Sequence, residues 1–219
     1  MDIKKLFKES SIVQKKKQSK TKKFIPIVQY QKKITFCIEI LNNNNLMKEK
    51  ELKSLSNQLK TIYSVNKRTI YPVNLVFSNY EQIREYMPVD SEKWNILKIN
   101  ESLFLDFSYK EKCLSLFGVE NVVFLSSDAP TSLECIEEHT LYVIGGLVDK
   151  NRHKGYSYNI FTNLNIPCYK LPIKENIKIF SSTTLATNHV FEIFADFLVT
   201  NDWKETLTNK IPKRKQMKN

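Results

Sequence analysis

The sequence predicts an α/β domain built on a mostly parallel sheet. Two observations carry this. Short runs of apolar residues alternate along the chain with stretches of helical periodicity, the pattern of strands joined by helical crossovers. The run at Ile34–Leu41 is also continuous and rich in apolar residues, the pattern of a buried strand.

Taken in order, Ile34–Leu41 is the first strand, closed by the turn-forming Asn42–Asn45. In 47–64, Leu52, Leu55, Leu59 and Ile62 recur at three- and four-residue spacing, one apolar face of a helix. Pro72 introduces a second strand, Val73–Phe77, and a helical pattern follows at Tyr80–Tyr86. Residues 88–120 are less regular. Ser102–Phe107 (SLFLDF) reads as a strand, and Gly118 punctuates the start of the next element. Asn121–Leu125 is a strand followed by Ser-Ser-Asp-Ala-Pro, read as a turn and helix start with Pro130 in the first turn. Leu141–Gly145 ends in Gly-Gly. Helices are expected at His153–Leu164 and Thr187–Val199, with a short strand at Cys168–Leu171 between them.

The formal net charge of +11 is concentrated at the ends. Residues 1–23 hold nine lysines against Asp2 and Glu9, a net +7; residues 206–219 hold five basic residues and no acid. The middle is left at −1. The expected organisation is a basic arm over 1–23, a folded body over 24–205 and a basic tail over 206–219. Basic tails bind polyanions by counterion release and steer them in; solvated ends or a localisation signal equally account for them.

The four cysteines (37, 113, 135, 168) form no CxxC pair and sit in apolar contexts. Buried, reduced thiols are expected rather than a zinc site, and no metal is expected. The longest apolar stretches, such as Leu141–Val148, are too short to span a bilayer, and no apolar core follows the basic N-terminus as in a secretory signal. The expectation is a protein of the nucleus or cytoplasm with no membrane partner.

In open parallel sheets ligands bind beyond the carboxyl ends of the strands. Three such ends are distinctive: Leu125–Asp128, Gly145–Arg152 and Leu171–Ile173. In the second, two of the four glycines are adjacent and are followed within six residues by Asp149, Lys150, Asn151 and Arg152. Adjacent glycines let backbone approach a ligand or another segment closely. A glycine turn followed by an Asp helix cap is the commoner source of the pattern. Neither GxGxxG nor GxxxxGK[ST] occurs, which disfavours dinucleotide and P-loop functions. With three histidines and neither HExxH nor GxSxG, zinc hydrolase and α/β-hydrolase chemistry are disfavoured too, and His189 on its apolar helix reads as structural.

Several segments together resemble the tRNA position-9 N1-methyltransferases of the SPOUT superfamily. They are SLSNQ…YSVNKR (54–68), YPVNL (71–75), FLSSDAP (124–130), YVIGGLVDKNRHKG (142–155), LPI (171–173), TNHVFEI (187–193) and DWKETLTNKIPKRK (202–215). The resemblance covers roughly 34–215 in one order. It implies a sheet with helices on both faces and a deep trefoil knot over about 121–190, an exception to unknotted topology. It implies S-adenosylmethionine as cofactor, with S-adenosylhomocysteine as product, lined by Leu125, Ser126, Gly145, Gly146, Asn151, Tyr158, Leu171, Thr183, Thr184 and Leu185. Asp149 matches the family's proposed general base, and Gln58 a residue near the target base. Lys60, Asn66, Lys67, Arg68, Arg152 and Lys154, with Lys15, Lys16 and Lys17 of the arm, would face tRNA. Glu39 stands where the family usually has Asp, and Ala186 where Thr is common. The expected function is N1 methylation of guanosine 9 by a monomer. Action on adenosine 9 or on both purines, or a non-catalytic tRNA-binding subunit of an RNA-processing complex, are the alternatives.

Overall fold

The computed structural model describes residues 34–150, 152–180, 182–213 and 216. Its centre is a six-stranded sheet with every strand pair parallel. The strands are β1 (Thr35–Ile40), β2 (Asn74–Ser78), β3 (Leu97–Lys98), β4 (Asn121–Leu125), β5 (Thr140–Gly146) and β6 (Cys168–Tyr169), in the order β3-β2-β1-β5-β4-β6. The sequence reading of a mostly parallel α/β sheet holds. β1 is entirely buried between β2 and β5, which explains its unbroken apolar run.

Helices cover both faces. On one, α1 (Glu49–Arg68) and, later in the chain, the 187–200 helix pack on Phe36, Ile38 and Ile40 of β1. The apolar stripe Leu52, Leu55, Leu59 and Ile62 of α1 is buried as its spacing predicts. Phe36 packs edge-on against Phe191 and Phe194, with ring centroids 5.0 and 4.7 Å apart. On the other face, α2 (Tyr109–Phe117) and α3 (Tyr156–Asn163) cover Cys37, Val76, Phe124 and Val143, with Phe124 and Phe161 stacked at 3.8 Å. The chain then forms α4 (Ile173–Asn176), α5 (Thr187–Thr200) and α6 (Trp203–Lys210).

Several expectations are corrected. Ser102–Phe107 is not a strand: Leu103 and Phe104 turn inward while Leu105 and Phe107 are exposed. No helix follows Pro130. The segment is instead drawn alongside Lys170, whose N–H donates to the Thr131 carbonyl at 2.9 Å and whose carbonyl accepts from Leu133 N–H at 2.8 Å. The helix expected from His153 begins at Tyr156, after a turn in which Gly155 takes a φ of 75°. The body also runs past residue 205, because Thr206 and Leu207 of α6, and Ile211 after it, are buried. Cys37 and Cys113 are buried, but Cys135 is exposed. The basic arm lies outside the described residues. Among the described residues no helix is long and apolar enough to cross a membrane.

Candidate active site

The carboxyl ends of β4 and β5 open into a cleft of ≈ 250 Å³. Three segments close on it, and they are the three strand ends marked by the sequence. Leu125 and Ser126 follow β4; Gly145, Leu147 and Asp149 follow β5; Leu171 and Ile173 follow β6. Thr183, Thr184 and Leu185, just before α5, form a further wall. The Ser127 and Thr184 hydroxyls meet across the cleft at 3.3 Å. Leucine and isoleucine side chains, convergent hydroxyls, the carboxylates of Asp128, Asp149 and Glu175 and the ammonium groups of Lys154, Lys170 and Lys174 share the lining, a mixture that suits a small ligand with an apolar part and polar ends.

The glycines have a packing reason. A Cβ on Gly145 would lie 2.9 Å from Leu41 Cδ1 and 3.3 Å from Ser157 Cβ. On Gly146 it would lie 3.0 Å from Ile38 Cγ2, 3.1 Å from Ile40 Cδ1 and 3.3 Å from the Glu39 carbonyl. Gly145 therefore lines the cleft, whereas Gly146 is buried against β1 and does not.

Asp149 is 8% exposed and on the cleft wall. Its Oδ2 accepts the His153 N–H at 2.7 Å, so it caps the turn that leads into α3. Lys150 next to it adopts a left-handed φ of 54°, which turns the chain sharply after the carboxylate. Arg152 is drawn to α1: its Nη2 donates to Glu51 Oε2 at 2.7 Å and to the Leu46 carbonyl at 3.2 Å. That pair ties the loop after β5 to the first helix.

Of the residues expected to hold cofactor, Leu125, Ser126, Gly145, Leu171, Thr183, Thr184 and Leu185 line the cleft. Tyr158 does not; Ser157, one position earlier on α3, does. Asn151 falls outside the described residues, as do Lys15, Lys16 and Lys17. Gln58 is not on the cleft; its Oε1 accepts the Thr187 N–H at 3.0 Å. Among the RNA candidates Lys60, Lys67, Arg68 and Lys154 are exposed, the last on the cleft rim. Asn66 is instead buried, with its amide bonded both ways to the Val73 backbone at 2.9 Å. It holds the end of α1 to the start of β2 rather than facing solvent. Leu147 and Ile173 lie inside the marked strand ends but were given no role, and sequence reasoning missed His153 and Lys174 on the cleft. Each of these two follows a marked segment directly, so extending the strand ends by one residue would have reached them.

Glu39, the last residue but one of β1, pairs with Gly145 and is 2% exposed. Burial pushes its carboxyl up to about 7; the Ser102 and Ser78 hydroxyls and the Leu103 N–H pull the other way but do not prevail.

Comparison with known proteins places the chain in a family. The family model for tRNA (guanine(9)-N(1))-methyltransferase TRM10/TRM10A matches residues 2–216. The chain belongs to this family. The tRNA methyltransferase 10 homolog A of Rattus norvegicus is 36% identical over 174 residues, covering 78% of this chain and 50% of that protein. The tRNA (guanine(9)-N1)-methyltransferase of Eremothecium gossypii is 34% identical over 173 residues, covering 78% and 56%. The chain spans about half the length of the curated relatives it matches. Among solved TRM10 structures, the crystal structure of spTrm10(74) matches with a TM-score of 0.72 at 30% identity, over 82% of this chain and 95% of that one. Full-length spTrm10 in complex with SAH matches with a TM-score of 0.70 at 28% identity, over 82% and 96%.

Proposed function

We propose that this chain methylates N1 of guanosine at position 9 of tRNA, taking the methyl group from S-adenosylmethionine and leaving S-adenosylhomocysteine. The observation that carries the reading is the cleft at the strand ends with the buried Asp149 on its wall, in a chain of the TRM10 family. The residues present fit the cofactor. Leu125, Leu147, Leu171 and Leu185 offer apolar surface for an adenine ring, and Ser126, Thr183 and Thr184 offer hydroxyls for polar groups. When bound, the cofactor supplies a methyl carbon already activated by its sulfonium.

What falls to the protein is alignment, exclusion of water and proton removal. Alignment of two reactants is worth several kcal/mol as a proximity effect. Guanine N1 carries a proton, and a carboxylate that receives it as the N–C bond forms speeds the step by roughly 10²–10⁴. Asp149 takes this role: the His153 N–H fixes Oδ2, so the carboxylate meets the base edge in one orientation, and the N1 proton passes to it. The target purine must leave its stack, at a cost of roughly a few kcal/mol. The exposed Lys60, Lys67, Arg68 and Lys154, with Lys15, Lys16 and Lys17 of the arm, offset that by contact with RNA phosphates. The C-terminal trefoil knot over about 121–190, a monomeric state and residence in nucleus or cytoplasm belong to the same reading.

The test is methyl transfer from labelled S-adenosylmethionine to two tRNA transcripts that differ only in guanosine or adenosine at position 9. Product is expected on the guanosine transcript, reduced at least about 100-fold in Asp149→Asn. Transfer to neither transcript would overturn the catalytic reading; transfer to the adenosine transcript would overturn the assignment of guanosine.

A further inference from the structure

α5 begins without a cap of its own. The residue preceding it, Ala186, has extended φ/ψ of −66° and 151° and no side-chain acceptor for the first helical N–H groups. Ser, Thr, Asp or Asn ordinarily supplies that acceptor. Here it comes from another helix: Gln58 of α1 reaches across 129 positions of sequence to accept the Thr187 N–H at 3.0 Å. The Thr187 hydroxyl makes only a long contact of 3.5 Å to the Gly145 carbonyl.

The position of this bond matters more than its strength. Thr183, Thr184 and Leu185 form a wall of the cleft, and Thr187 is the first anchored residue after them. Earlier in the same segment the Ser127 and Thr184 hydroxyls make a second hydrogen-bonded tie, 3.3 Å apart. With one tie to a loop, one to a helix whose apolar face packs on the sheet, and Leu185 packed against the cluster of Ile173, Ile193, Leu207 and Ile211, the wall has a fixed place to sit.

We propose that Gln58 is a positioning residue: its amide oxygen caps α5 from α1 and thereby sets the Thr183–Leu185 wall of the cleft, without touching the reactants. This rests on the reading of the cleft as the cofactor site, and it gives Gln58 a task other than contact with the target base.

The test uses the full chain and three variants. Gln58→Leu removes the acceptor. Gln58→Glu keeps it and adds negative charge at a helix N-terminus, where charge of that sign is favourable. Thr187→Pro removes the donor at the first helical position, where proline is well tolerated, together with a side chain that itself lines the cleft; the double variant separates the two effects. In the cofactor-free chain, amide exchange within 183–190 is expected to quicken about 3- to 10-fold in Gln58→Leu, while exchange in β4 and β5 stays unchanged. S-adenosylhomocysteine affinity, read by calorimetry, falls by a similar factor in Gln58→Leu and in Thr187→Pro. It holds in Gln58→Glu, and the double variant Gln58→Leu/Thr187→Pro is no weaker than the weaker single one. Unchanged exchange in Gln58→Leu, additive losses in the double variant, or equal losses in the Glu and Leu variants would overturn the proposal. Failure of the unaltered chain to bind S-adenosylhomocysteine would overturn the cofactor reading instead, and the exchange measurement would still decide the capping.

Discussion

Glu39 is buried at the end of the central strand, and its Oε2 has no hydrogen-bond partner among the described residues. Its carboxyl is pushed up from 4.5 to about 7 by desolvation, so between those values the folded chain holds a proton that the unfolded chain has released. Stability from this group is therefore complete below about pH 4.5 and is lost as pH rises towards 7. Urea unfolding of the unaltered chain and of Glu39→Gln should diverge across that window, the former losing at most on the order of 3 kcal/mol relative to the latter. Parallel curves would mean the carboxyl is solvated after all. A second change tests the backbone fit: Gly146→Ala puts a methyl against Ile38, Ile40 and the Glu39 carbonyl, and the melting temperature should fall by an amount worth about 1–3 kcal/mol. At this scale the sequence was readable where a residue acts through local chemistry. Asp149 and Gly145 stand where their spacing put them. Asn66 was misread because its amide is taken up by the Val73 backbone, and the bond from the Thr187 N–H to Gln58 was not foreseen because it joins two helices 129 positions apart, which no spacing rule reports.

The same division separates the elements. α1 was legible because Leu52, Leu55, Leu59 and Ile62 all turn one way, and all are buried. α2 was not, because its pattern is inverted: Cys113 faces the core while Leu114 and Leu116 are 50% and 53% exposed. The inner stripe is short, Tyr109, Cys113 and Phe117 at four-residue spacing, and the exposed leucines beside it blur the periodicity; Gly118, left-handed at φ 64°, marks the helix end. The contrast gives a paired prediction for chemical denaturation. Leu59→Ala should cost about 2–5 kcal/mol, whereas Leu114→Ala should stay within about 0.5 kcal/mol. Equal losses at the two sites would show that α2 is packed more deeply than its exposed leucines indicate. The segment after Pro130 was misread for another reason. Its turn chemistry suits a helix start, but two backbone hydrogen bonds to Lys170 hold it extended, and that pairing exists only once β6 has docked on β4.

At the scale of the whole molecule, charge and cleft are made by different parts of the chain. The cleft is built from residues 125–190, whereas the excess of positive charge is carried by residues 1–23 and 206–219. Under the proposed function, the RNA contacts made by the two ends are therefore separable from cofactor binding in the cleft. That division could be read from the sequence, since it needs only a count of lysines; the boundary at 205 could not, because the burial of Leu207 and Ile211 depends on α6 packing against Ile173 and Ile193. If the arm grips RNA, each lysine that neutralises a phosphate releases counterions and contributes about one to the slope of log affinity against log salt. Replacing Lys15, Lys16 and Lys17 by Gln should then lower that slope for tRNA by up to about three and weaken binding most at low salt. S-adenosylhomocysteine affinity and the melting temperature should not change, because nothing in the cleft has been touched. A slope unaltered by the triple replacement would place the RNA grip on the body, where Lys60, Lys67 and Arg68 of α1 are exposed, and would leave the arm without a part in binding.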